Sequence, residues 1–181
     1  MPVPKSYCLQ IADVVRQLPV FEVAPGVSIA IMNLLGDAEL TEAAGKARAA
    51  LVPPQTEVLV MPDGKAIALL HVIQRETGLP AVVARKRRVS YMSEPVLEVS
   101  AVSITTQAEH TFFLGADDVA KLEGKDALVI DDVVSTGGTL KALDALLDKA
   151  GALVVGVMAV GTEGDARPGV IALHHFPVFT G

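Results

Sequence analysis

The sequence predicts an α/β fold: a mainly parallel twisted sheet flanked by helices, with a small hood built from about 1–35 and 165–181. Two observations lead there. Short apolar runs alternate with stretches of helical periodicity, and a helix between two strands returns the chain for parallel pairing. Hydrophobic residues make up 51% of the chain while aromatics make up 4% and Trp is absent, so the core must come from Val, Leu, Ile and Ala. That composition suits a sheet packed between helices better than an aromatic-rich barrel. A length of 181 residues fits one domain, 1–181, with a sizeable core.

The elements follow in order. Tyr7, Ile11, Val14, Val15 and Leu18 recur at helical spacing before Pro19, which predicts a helix over about 5–17. Two extended pieces are expected near 20–23 and 27–32, around the Pro25-Gly26 turn. Asp37 can cap an Ala-rich helix that ends near Leu51, before Pro53-Pro54. Glu57 to Met61 reads as a strand and 64–77 as a helix, with Gly78 at its end. Ala81 to Ala84 is a strand. Residues 85–125 are mixed: a basic run, β-like alternation over Val96 to Ile104, a polar stretch, then Phe112 to Leu114. Ala127 to Ile130 is a buried-type strand, Thr139 to Ala150 a helix, Leu153 to Val160 another strand, and Val170 to Leu173 a last short one. In such sheets ligands bind beyond the carboxyl ends of the strands, here just after Met61, Ala84, Ile130 and Val160.

The net charge of −6 argues against a general nucleic-acid binder. No apolar stretch is long enough to span a bilayer, and Met1 to Gln10 has no leader pattern. Cys8 is the one cysteine, which allows no intrachain disulfide. A cytoplasmic location is the expectation. Cys8 is expected as a buried thiol. His174 and His175 are adjacent, face opposite ways on a strand, and so are expected to be structural rather than metal ligands.

The most informative segment is Ala127-Leu128-Val129-Ile130-Asp131-Asp132-Val133-Val134-Ser135-Thr136-Gly137-Gly138-Thr139. An apolar strand runs into two carboxylates, then a hydroxyl- and glycine-rich turn, then a helix. Successive glycines let the backbone approach a ligand and turn its N–H groups toward it. The helix start adds unpaired N–H groups and a positive dipole end. Ser135, Thr136 and Thr139 add hydroxyl donors, and together these form a cup for a phosphate. Carboxylates repel phosphate but accept hydrogen bonds from paired sugar hydroxyls. The economical ligand is a ribose 5-phosphate group. The turn lacks the lysine of a Walker loop, which makes a triphosphate a poorer fit.

This segment resembles the motif with which type I phosphoribosyltransferases bind 5-phosphoribosyl-1-pyrophosphate (PRPP). The resemblance implies the fold of that class. It implies that Asp131 and Asp132 bind the ribose hydroxyls at the catalytic centre, and that Ser135, Thr136, Gly137, Gly138 and Thr139 hold the 5-phosphate. It also implies Mg²⁺ that arrives with PRPP, held by substrate oxygens and water, with no metal ligand set of the protein's own. Asp63, Gly64, Lys65 and Ala66 resemble the family's pyrophosphate loop, with Ala66 where Gly is usual. Arg85 and Lys86 match an Arg-Lys pair that contacts pyrophosphate in adenine phosphoribosyltransferase-like proteins, and a flexible loop is expected within 87–111. Glu109 is the loop acid candidate. Phe21 to Ile29 resembles the adenine enzymes' base-binding segment, which makes Val27 and Ile29 the base contacts; Ile29 replaces an aromatic and Ile31 an Asp. The implied activity is purine salvage: transfer of ribose 5-phosphate from PRPP to a purine base, adenine first, with release of pyrophosphate, by a homodimer. Two rivals share the motif. One is an enzyme for hypoxanthine, guanine, xanthine or a pyrimidine; the other is a non-catalytic PRPP-binding regulator.

Overall fold

The computed structural model describes residues 3–102, 109–135 and 137–181, the side chains of 101, 102, 109 and 110 excepted. The chain begins with β1 (Ser6–Ile11), β2 (Val14–Ala24) and β3 (Val27–Ala30). The helix expected over 5–17 is therefore a β-hairpin. Ile11 pairs with Val14 across a turn in which Ala12 has φ 52°. Its buried residues, Leu9, Ile11, Val14 and Leu18, follow the two-residue period of strands on each arm of the hairpin. The apparent helical spacing combined residues from both arms. The same alternation turns Cys8 outward, so the thiol is exposed, not buried.

α1 (Ala38–Ala49) starts at Asp37, whose carboxylate accepts from the Leu40 N–H at 3.0 Å. Arg16 on β2 donates to both oxygens of Asp37 and to Glu39, which fastens the hairpin to the helix start. β4 (Val58–Pro62), α2 (Ile67–Thr77) and β5 (Ala81–Ala84) follow, and α2 closes on Gly78 in the left-handed conformation. Then come β6 (Leu97–Val102) and β7 (Glu109–Leu114), an antiparallel pair, and α3 (Ala116–Leu122), a short helix not expected within the mixed region 85–125. β8 (Asp126–Val134), α4 (Gly138–Lys149), β9 (Leu153–Glu163), β10 (Val170–Phe176) and β11 (Val178–Thr180) complete the chain.

Five strands form the parallel sheet, in the order β10-β9-β8-β4-β5. The order β1-β2-β3-β11 makes the hood sheet. Within 165–181, β10 thus extends the parallel sheet while β11 joins the N-terminal strands. Tyr7 Oη and His174 Nε2, 2.8 Å apart, tie the two sheets together.

Alternation along each central strand divides the core. Leu59 and Met61 of β4, with Leu128 and Ile130 of β8, pack against α1, α2 and the hood. Val58 and Val60, with Ala127 and Val129, pack on the other face against α3, α4 and the β6–β7 hairpin. Every one of these strand residues is buried, as expected for a sheet covered on both sides. Phe112 and Leu114 seat the hairpin on this second face, and Phe113 exchanges two backbone hydrogen bonds with Arg85. Within the expected loop over 87–111, residues 87–96 form an irregular connection with a turn at 90–91, while 97–102 and 109–111 are hairpin strand; residues 103–108 lie outside the described residues.

Candidate active site

The sheet order reverses between β8 and β4: from β4 the chain proceeds to β5 on one side, and from β8 to β9 and β10 on the other. A reversal leaves a crevice beyond the strands' carboxyl ends, because the following connections leave in opposite directions. The pairing shows it opening. β4 and β8 are in register from Val58 to Val60, while β4 stays paired with β5 through Pro62 and Ala84. Pro62 brings no N–H to the ladder.

A cavity of about 230 Å³ occupies this crevice, lined by Pro62, Asp63, Gly64, Lys65, Ala66, Lys86, Asp131, Asp132, Val133 and Thr139. Residues from three separate loops converge there. Asp131 and Asp132 are the last acids of β8, each accepting a hydrogen bond from the next backbone N–H, at 2.9 and 2.8 Å. Burial, and then the neighbouring Asp132 carboxylate, push the Asp131 carboxyl up to about 7, while the nearby Lys86 ammonium opposes them. Thr139 stands in the first turn of α4, after Ser135, Gly137 and Gly138. Gly137 has φ 80°, which makes glycine the fitting residue at that turn. Thr136 lies outside the described residues.

The loop after β4 reaches the cavity from the other side. Ala66, where glycine was expected, is the residue before α2 with φ −97° and ψ 10°. A side chain is tolerated in that conformation, so the alanine needs no strain. Lys86 lines the cavity, whereas its neighbour Arg85 turns toward Asp63, with Nε 3.4 Å from Oδ2, and borders a second hollow with Tyr91 and Ser93. Consecutive residues of an extended segment face opposite ways, which separates the pair.

Val27 and Ile29 do not line this cavity. Both are part-buried on β3, with Ile29 opposite Val178 and Val27 opposite Thr180 of β11. Glu109 opens β7 opposite Val102, and its side chain lies outside the described residues. His174 bonds to Tyr7 and His175 to Thr162, through Nδ1 and Oγ1 at 2.6 Å. Arg167, in the loop between β9 and β10, approaches Gly137 and was not singled out in the sequence. Among the described residues no group of three or more His, Cys, Asp or Glu is placed to hold a metal ion, and no helix is long and apolar enough to cross a membrane.

A parallel sheet with a crevice at its reversal, an acid pair, a glycine turn and lysines on two facing loops form an α/β site whose donors and acceptors suit a phosphorylated sugar. Comparison with known proteins narrows the class. Residues 29–169 match the phosphoribosyl transferase domain, and the chain belongs to the phosphoribosyltransferase family, a family of glycosyltransferase-type enzymes. It is 35% identical over 137 residues to an adenine phosphoribosyltransferase of Rhodococcus opacus, covering 75% of this chain and 74% of that one. It is 41% identical over 103 residues to an HGPRTase-like protein of Halorubrum lacusprofundi, covering 56% of this chain and half the length of that relative (50%). The fold matches the crystal structure of adenine phosphoribosyltransferase from Thermoanaerobacter pseudethanolicus, with TM-score 0.67, 20% identity, and coverage of 79% of this chain and 84% of that one. It also matches a Trypanosoma brucei adenine phosphoribosyltransferase in complex with AMP, pyrophosphate and ribose 5-phosphate, with TM-score 0.59, 19% identity, and coverage of 78% and 67%.

Proposed function

We propose that this chain transfers ribose 5-phosphate from PRPP to a purine base, adenine first, and releases pyrophosphate. One observation carries the reading. Lys65 and Lys86, the acid pair and Thr139 surround a single cavity of about 230 Å³, although they come from three distant segments. A bound PRPP needs those partners at once: cations for its pyrophosphate, carboxylates for its ribose hydroxyls, and amides and hydroxyls for its 5-phosphate.

In this reading the bond from the anomeric carbon to pyrophosphate breaks, and its electron pair leaves with the pyrophosphate. The base nitrogen bonds to the same carbon from the opposite face and gives up its proton to solvent water. Lys65, Lys86 and the N–H groups of the 63–66 loop offset the charge on the leaving group. Asp131 and Asp132 hold the ribose and stand near the ring where positive charge develops. Mg²⁺, carried in by PRPP and held by its oxygens and by water, would supply further neutralisation of the pyrophosphate. Arg85 acts on the pyrophosphate loop through Asp63. Val27 and Ile29 as base contacts, Glu109 as the acid that helps protonate the base, and a homodimeric assembly follow the family resemblance, with a cytoplasmic location as the accompanying expectation.

Adenine is favoured by the adenine phosphoribosyltransferase name of the Rhodococcus opacus relative, and hypoxanthine or guanine by the HGPRTase-like relatives. The test is pyrophosphate release from PRPP with adenine, hypoxanthine, guanine, xanthine and uracil in turn. Fastest turnover with adenine is the expected result. Turnover with another base alone overturns the adenine choice, and PRPP binding without release for any base leaves a regulator.

A further inference from the structure

The loop that joins β9 to β10 brings a cation to the start of α4. Arg167 Nη1 lies 4.0 Å from the position that a Cβ on Gly137 would take. Gly137 directly precedes α4, where unpaired backbone N–H groups carry the positive end of the helix dipole. The first turns of α1 and α3 hold acids, Glu39 and the pair Asp117 and Asp118, whereas those of α2 and α4 hold none. A guanidinium beside that turn adds charge of the same sign. Its Nε is buried and has no hydrogen-bond partner among the described residues. None of the ion pairs among those residues includes it.

The loop is held in place by its backbone. Gly164 N–H donates to the Phe176 carbonyl at 2.8 Å, and Val170 N–H to the Arg167 carbonyl at 3.1 Å. Thr162 Oγ1 donates to the Asp165 carbonyl at 3.4 Å. Leaving a buried donor unpaired is costly, and so is crowding positive charge at a helix start. An anion shared by Arg167 Nη1 and the α4 amides relieves the crowded positive charge, because a guanidinium N–H and the amides of a helix start both suit phosphate oxygens.

We propose that Arg167 is a binding residue for the 5-phosphate of the ribose donor, acting with Ser135, Gly137, Gly138 and Thr139 and supplying the positive charge that they lack. The inference rests on reading the cavity as a PRPP pocket and adds a residue outside the motif. The phosphate then spans two connections, β8–α4 and β9–β10, instead of one.

The experiment measures binding of ribose 5-phosphate and, separately, of inorganic pyrophosphate to wild type, Arg167→Gln and Arg167→Lys, together with KM for PRPP and for the base. Arg167→Gln is expected to weaken ribose 5-phosphate by about tenfold or more, the scale of a charge-assisted hydrogen bond. Pyrophosphate affinity is expected to stay within about twofold, Arg167→Lys to recover part of the loss, and KM to rise for PRPP but not for the base. Without ligand, the Tm of Arg167→Gln should equal or exceed that of wild type, since a like charge leaves the helix start. Unchanged ribose 5-phosphate affinity, an equal loss for pyrophosphate, or a lowered Tm shared by both variants overturns the assignment. If wild type binds ribose 5-phosphate and loses it on Asp131→Asn but not on Arg167→Gln, the pocket reading stands and Arg167 alone is removed. If wild type binds no ribose 5-phosphate, the pocket reading falls as well.

Discussion

The Lys86 ammonium stands 3.9 Å from the point where a side chain on Gly64 would begin. Two loops, from the ends of β4 and β5, thus meet across the cavity with a cation on one and open space on the other. A Cβ at Gly64 makes only ordinary contacts there, so a larger residue fills the cavity before it disturbs the fold. Gly64→Val is expected to weaken pyrophosphate binding while Tm stays nearly constant. Lys86→Met should cost about 1.5–3 kcal/mol of pyrophosphate affinity, the range of a hydrogen bond to a charged group. Calorimetric titration with pyrophosphate checks both; undiminished affinity in Lys86→Met removes that lysine from the site.

Asp131 links stability to pH. Its carboxyl is raised to about 7 by burial and by Asp132, against an ordinary value of 3.8. The folded state therefore holds this proton more tightly than the unfolded chain. The stabilising contribution is complete below about pH 4 and is lost as pH rises through 7. Asp131→Asn should remove that slope, so wild type loses Tm relative to the variant between pH 4 and 7. Ribose binding should run the other way, tightening as the carboxylate forms near pH 7, in wild type but not in Asp131→Asn. Parallel pH profiles of the two proteins would exclude the raised carboxyl.

Gly137 carries a backbone cost that other residues meet in full. At φ 80°, Gly137→Ala is expected to destabilise the protein by about 1–2 kcal/mol. It should also weaken ribose 5-phosphate, because the turn's N–H groups shift. Urea unfolding and ligand titration measure the two effects separately.

Gly161 and Phe176 are fitted to each other at the carboxyl ends of β9 and β10. A Cβ on Gly161 would lie 2.3 Å from Phe176 Cε2, and the ring is buried. Gly161→Ala should destabilise by about 1–3 kcal/mol through overpacking. Adding Phe176→Leu should recover part of that loss, a coupling that a double-mutant cycle detects. Additive losses would show that the backbone, not the ring, sets the cost.

Much of the scaffold was legible from pattern. The Asp37 cap, the Gly78 stop, the strands at 81–84 and 127–130 and the helix from Gly138 all have signals contained within a few residues. The N-terminal hairpin was not, because residues from its two arms imitate a helical stripe. Its left-handed turn falls at Ala12, where no glycine or asparagine marks it. α3 was hidden for a similar reason: Gly115 precedes it and makes no side-chain cap bond, and a helix of 7 residues shows hardly two turns of periodicity. Arg167 resembled a solvated charge in a Gly- and Pro-containing loop. The one available signal was its place beyond Val160, among the strand ends where ligands bind.

The sequence by itself determined the pieces of this protein: an acid pair at a strand end, a glycine turn free to take a left-handed backbone, and lysines just beyond two strand ends. Those features are set by interactions among near neighbours along the chain. Tertiary structure alone decided that β4 lies beside β8, that Lys86 faces the cavity while Arg85 does not, and that Arg167 reaches Gly137. Strand order and side-chain direction depend on burying both faces of the sheet at once. That condition joins residues tens of positions apart and leaves no trace in any local window.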